Sequence, residues 1–152
     1  MKNKSSFQVE KPEQSSGFLL WQVTTIWQRQ IKSALNSINL SHSGFVILAS
    51  LLWFKEQNTT VTQTTIIEHT KLDKMTVSKS LKKLEKDGLI LKNENETDTR
   101  AKTVTLTNKG IKLAAQAVKI VENIDNDFFS ALSIKDINRL NLLFSKLLAN
   151  NI

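Results

Sequence analysis

Thr76, Ser78 and Lys79 lie within one helical turn, in a stretch with no catalytic partner but well supplied with groups that read base edges. The two hydroxyls can donate or accept, and a lysine ammonium can donate to guanine in a major groove. Met75 beside them offers an apolar contact to a thymine methyl. Lys82, Lys83 and Lys86 follow on the same segment, where cations suit phosphates. Farther on, Asp98-Thr99-Arg100-Ala101-Lys102 sets an arginine two residues after a carboxylate. A narrow minor groove concentrates negative potential and favours an inserted arginine, which Asp98 can hold extended. As a bare surface ion pair the same two residues would contribute only ~0–1 kcal/mol.

Other chemistries find no support. Cysteine is absent, which excludes disulfides, thiolate metal sites and thiol redox sensing within this sequence. Two histidines, His42 and His69, are too few for a histidine-rich metal site. With four glycines and no phosphate-cradling loop, nucleophile–base pair or metal-spaced cluster, no enzyme, cofactor or metal is expected. No apolar run reaches the ~18 residues of a membrane span, and residues 1–14 lack the apolar stretch of a signal peptide, so the cytoplasm is expected.

The net charge of +7 is unevenly distributed. From Lys71 to Lys112, eleven Lys/Arg stand against six acids, a local excess of +5. Charge gathered in this way points to a polyanionic partner rather than to a solvated surface.

The periodicity sets out the elements that must position these groups. Residues 1–16 hold the only proline, Pro12, and read as a mobile arm. Ser15 or Ser16 caps a helix over 17–38 whose apolar positions Leu20, Val23, Trp27, Ile31, Ala34, Leu35 and Ile38 recur at threes and fours. Ser41 caps a helix over 42–56 with Phe45, Leu48, Ala49, Leu52 and Trp53 inward. A short helix over 62–69 turns Ile66 and Ile67 inward, and Asp73 caps a helix over 74–87. Val77, Leu81 and Leu84 share one side of it, so a 100° step per residue puts Met75, Lys79, Lys82 and Lys86 on the other. Gly88 closes it, and 89–91 and 103–106 form a hairpin around a charged loop. Thr107 or Asn108 begins a helix to about 131, with Ile111, Ala114, Ala115, Val118, Val121, Ile124 and Phe128 inward. A last helix follows the Ser133 to Asp136 cap and carries Ile137, Leu140, Leu143, Phe144, Leu147 and Leu148. The fold class is mainly α with a small β-hairpin: a winged helix-turn-helix over 39–107, flanked by helices over 17–38 and 108–152.

Asp98-Thr99-Arg100-Ala101-Lys102, then Val104-x-Leu106-Thr107-x-x-Gly110, preceded by Thr76-Val77-Ser78-Lys79 and Leu84-Glu85-Lys86-x-Gly88-Leu89-Ile90, resembles the MarR (multiple-antibiotic-resistance regulator) family. The likeness is specific over about 40–110 and looser through the terminal helices. It implies a homodimer that represses transcription from a pseudo-palindrome of double-stranded DNA. By position, the helix around Thr76, Ser78 and Lys79 would enter the major groove, and the wing Asp98 and Arg100 the minor groove. It also implies release by a small, often aromatic, effector. Family members that sense peroxides use cysteine, a mode this sequence lacks. Lys79 stands where arginine is common in the family, and lysine lacks the bidentate fork.

Large side chains on the end helices fit a dimer interface: Phe18, Trp21, Phe128, Phe129, Ile137 and Phe144. Trp21, Trp27, His42, Phe45 and Trp53 are candidates for a ligand cleft between the first two helices. The competing reading is a winged-helix adaptor that binds protein without specific DNA contacts.

Overall fold

The computed structural model describes residues 4–94 and 102–152. Side-chain caps start the helices where the sequence offers them. Ser15 accepts from the Phe18 amide and opens α1 (Ser16–Asn36), and Ser41 accepts from Gly44 and opens α2 (His42–Glu56). Thr62 and Thr65 form a reciprocal box at the head of α3 (Gln63–Thr70), and Asp73 caps α4 (Lys74–Lys86). Thr107 caps α5 (Asn108–Phe128), and a Ser133–Asp136 box opens α6 (Ile134–Asn150). Each cap satisfies an amide that the first helical turn leaves without a partner.

Gly88 ends α4 with φ +74°, a conformation that costs other residues a steric clash. The chain then enters β1 (Ile90–Glu94), which pairs antiparallel with β2 (Lys102–Leu106) in the register Ile90↔Leu106 to Glu94↔Lys102. The far edge of β2 is also held, since the Val104 amide donates to the Val61 carbonyl at 2.8 Å just before α3. The hairpin is thus tied directly to the helix-turn-helix.

The core gathers around α2, which packs on α1, α3, α4, α5 and β2. Ile31 and Leu35 from α1 meet Ile47, Leu48 and Leu51 from α2, Ile66, and the inner stripe Val77, Leu81 and Leu84 of α4. Ile90, Val104, Ala114, Ala117 and Val121 close the other side. Among the described residues no helix is long and apolar enough to cross a membrane, and no cluster of three or more metal-ligating side chains forms.

Three helices depart from the expected burial. Trp53 faces out from α2, because that helix is surrounded and turns Gly44, Ile47, Ser50 and Leu51 inward instead. The front half of α1 keeps Leu20 and Val23 exposed, and burial begins only near Ile31. In α5 the close contact falls on Ala117, with Ala115 exposed. The expected mobile arm holds a 3-10 turn, Pro12–Gln14, whose Gln14 Oε1 accepts from the Glu10 and Lys11 amides.

Candidate nucleic-acid interface

The outer face of α4 is the centre of the candidate site. With Val77, Leu81 and Leu84 buried, Met75, Lys79, Lys82 and Lys86 stand exposed on the opposite side. Met75 is 80% exposed. Lys83 reaches forward one turn to Asp87 at 3.0 Å, an exposed i,i+4 pair of little energetic weight.

Three polar ties fix the helix that carries this face. Asp73 Oδ1 accepts from the Thr76 amide at 2.7 Å, and Oδ2 accepts from the Thr76 hydroxyl at 2.8 Å. Gln63 Nε2 donates to Ser78 Oγ at 2.7 Å, linking the head of α3 to α4. Ser43 and Ser80 hydroxyls meet at 3.2 Å and link α2 to α4. Thr76 and Ser78 are therefore both half-buried and engaged, while Lys79 is free in solvent. Gln63 was not singled out in the sequence. Its only signal was its place as first residue of the helix after Thr62, and its partner lies fifteen residues away.

The Asp73 carboxyl is held below its ordinary range by the Thr76 amide first and the Thr76 hydroxyl second. A lowered carboxyl stabilises the fold above its unfolded value and loses that contribution as pH falls through the lowered one. The stability gap between the parent chain and Asp73→Ala should therefore be full at neutral pH and shrink below about pH 4. Thermal unfolding of both proteins from pH 7 downward checks this, and a gap that is constant with pH would show that the carboxylate charge is not involved.

The hairpin stem is described up to Glu94 and again from Lys102, which stand opposite each other, both exposed. Asp98 and Arg100 lie outside the described residues. Behind the hairpin, Thr107 Oγ1 donates to the Gly88 carbonyl at 2.6 Å and Lys109 Nζ to the Asp87 carbonyl at 2.9 Å, anchoring the end of α4 to the start of α5.

Away from α4, Trp27, His42 and Phe45 come together. Trp27 meets His42 edge-on at 5.3 Å, and His42 lies 6.4 Å from Phe45. Trp27 Nε1 donates to Asp125 Oδ1 at 2.8 Å, so α1, α2 and α5 join at this point. Burial pushes the His42 imidazole below its ordinary pKa, and the Asp125 carboxylate opposes that shift. Trp21 and Trp53, expected in the same cleft, stand on the surface at 70% and 56% exposure.

Of the candidate interface residues, Phe128 and Phe129 pack edge to face at 5.1 Å at the end of α5. Phe129, Ile137 and Phe144 line a groove of about 320 Å³ between α5 and α6. Phe18 and Phe144 are exposed, as is Trp21. A second groove, about 450 Å³, lies between the end of α2 and β2 and includes Lys55, Thr60 and Thr105.

Residues 36–123 match the family described as ArnR1-like, winged-helix domain. The chain is 38% identical over 125 residues to the uncharacterized HTH-type transcriptional regulator YdcH of Bacillus subtilis (strain 168), covering 82% of this chain and 85% of that protein. It is 33% identical over 120 residues to the organic hydroperoxide resistance transcriptional regulator of the same organism, covering 79% and 78%. Among solved structures, the S. aureus MepR–DNA complex aligns with a TM-score of 0.80 at 23% identity, over 90% of this chain and 98% of that one. That last likeness is one of fold.

Proposed function

This chain belongs to the MarR family of winged helix-turn-helix, DNA-binding transcriptional regulators, and we propose that it acts as a homodimeric repressor of a pseudo-palindromic operator. The observation that carries this reading is the outer face of α4, where Met75, Lys79, Lys82 and Lys86 stand exposed on a helix held at its head by Asp73 and along its flanks by Gln63 and Ser43. A rigid cationic helix of this size suits a major groove. Thr76, Ser78 and Lys79 are assigned to bases, and Lys82, Lys83 and Lys86 to phosphates. Asp98, Arg100 and Lys102 are assigned to the wing's contact with the minor groove. In this reading 39–107 grip DNA, 17–38 with 108–152 hold two copies together, and the compartment is the cytoplasm.

A salt titration tests the DNA reading against the protein adaptor. Six or more phosphate contacts per dimer imply a loss of about a thousandfold in duplex affinity between 50 and 200 mM salt. Binding to DNA that is weak and insensitive to salt would favour the adaptor.

Exposed apolar side chains on the end helices support the dimer. α6 buries none of its residues, and leaves Leu142, Leu143, Phe144, Leu147 and Leu148 open to solvent. Phe18, Leu19, Leu20, Trp21 and Val23 do the same on α1. Surfaces of this kind are covered in a working protein. Leu143→Glu with Leu147→Glu should convert the dimer to a monomer in sedimentation while leaving helical circular dichroism intact, because neither residue belongs to the core. A chain that sediments as a monomer before substitution, or a variant that stays dimeric, would contradict the assignment.

Release by a small aromatic effector completes the proposal. The meeting of Trp27, His42 and Phe45 supports it, since a ligand there would touch helices of both the DNA-binding and dimerisation regions. The sequence holds no cysteine, so its signal is not read through a thiol of its own.

A further inference from the structure

We propose that Thr76 meets the operator as a hydrogen-bond acceptor only, paired with an exocyclic amino group (adenine N6 or cytosine N4), because Asp73 takes its one hydroxyl proton. The proposal rests on the DNA-binding reading above. A threonine hydroxyl has one proton and two lone pairs, and a carboxylate has lone pairs alone. At 2.8 Å from Asp73 Oδ2, the Thr76 hydroxyl must therefore be the donor. The other carboxylate oxygen takes the Thr76 amide at 2.7 Å, so one residue is gripped at two points. The same two bonds favour the ionised carboxyl, which keeps it from offering a proton of its own. What Thr76 Oγ1 retains for a partner outside the helix is lone pairs.

Its neighbours are polarised the other way. Ser78 Oγ accepts from Gln63, which leaves its O–H to donate, and Lys79 can only donate. Met75 offers no hydrogen bond of comparable strength. The first turns of α4 therefore present Thr76 as their acceptor-only side chain, beside Ser78, which keeps its proton to donate, and Lys79, which can only donate. Every base pair has one amino group on its major-groove edge, carried by adenine in one kind of pair and by cytosine in the other. The deciding observation is thus an atom and not a base letter. An amino group left unpaired at this position costs binding, as does a carbonyl or ring nitrogen facing the Thr76 lone pairs.

Amino-group deletion on a duplex selected by the full chain tests this. Each adenine of a half-site is replaced in turn by purine lacking N6, and each cytosine by its analogue lacking N4. One position should weaken binding of the parent chain about fivefold, the size of one hydrogen bond. Thr76→Val should show no weakening at that position, and Thr76→Ser should restore it. Asp73→Asn keeps an acceptor for the Thr76 amide but turns an amide donor toward the hydroxyl, so sensitivity to the amino group should also fall while the melting profile shows a folded helix. Equal amino-deletion effects in the parent and in Thr76→Val would overturn the proposal. So would sensitivity that follows Asp73 but not Thr76, since the carboxylate would then be the reader. Failure to select any duplex would overturn the DNA reading itself, and this assignment with it.

Discussion

Gly110→Ala should destabilise the chain by about 3 kcal/mol or more, lowering its melting temperature by on the order of 10 °C at fixed concentration. A methyl added at Gly110 runs into the Leu89 carbonyl oxygen, and its second and third neighbours are the Leu89 carbonyl carbon and Leu106. The obstacle is backbone, which cannot swing aside as a side chain tip does. The same carbonyl accepts the Thr107 amide at 3.0 Å, and Thr107 in turn caps α5 through the Gly110 amide. Moving Leu89 away would therefore loosen the β1 entry and the α5 start together. Calorimetry of the two proteins decides the matter, and a melting temperature unchanged within a degree or two would show that the close approach is not required.

Lys79→Ala should cost about 1–3 kcal/mol in each half-site of the cognate operator and relax the preference at one base position. A two-fold dimer suffers that loss twice, which makes this the largest effect expected of any single side chain on the outer face of α4. Lys86→Ala is the internal comparison. It lies two turns farther from the helix head, where a phosphate contact should weaken all sequences alike and reduce the salt slope by about one per contact. Binding measured on cognate and scrambled duplexes separates the two. If Lys79→Ala weakens both duplexes equally, Lys79 touches phosphate and not base.

Local signals were legible in the sequence. Asp73 caps α4, Gly88 closes it in the left-handed region, and Val77, Leu81 and Leu84 form its buried stripe, because each depends on residues within a turn or two. An order of five or six helices with a hairpin after the fourth followed from the same short-range patterns, and the described residues hold six α-helices in that order. Periodicity could not say what an apolar stripe is buried against. Leu20 and Val23 of α1, and Leu143, Phe144, Leu147 and Leu148 of α6, repeat at helical spacing yet stay exposed within one chain, whereas α2 is buried on so many sides that no single stripe describes it. Ala115 and Ala117 are chemically alike, and only the packing angle of α5 selects between them.

The candidate site shows the same division. Its cationic face could be projected from the buried one by helical geometry alone. The partners on other helices that brace its side chains could not, although Asp73, three residues before Thr76, could. Gln63 reaches Ser78 and Ser43 reaches Ser80 only after α2, α3 and α4 have packed. Trp27 and Asp125, 98 residues apart, meet only because α1 and α5 cross. Such long-range hydrogen bonds leave no pattern in spacing, yet they decide whether a hydroxyl donates or accepts.

In the proposed function, two copies of this chain read double-stranded DNA through α4. Selection of duplexes from a random pool by the full chain tests it most directly. The expected result is an enriched inverted repeat whose half-site centres lie about one helical turn apart. Enrichment of no sequence, or of a single unrepeated site, would contradict it.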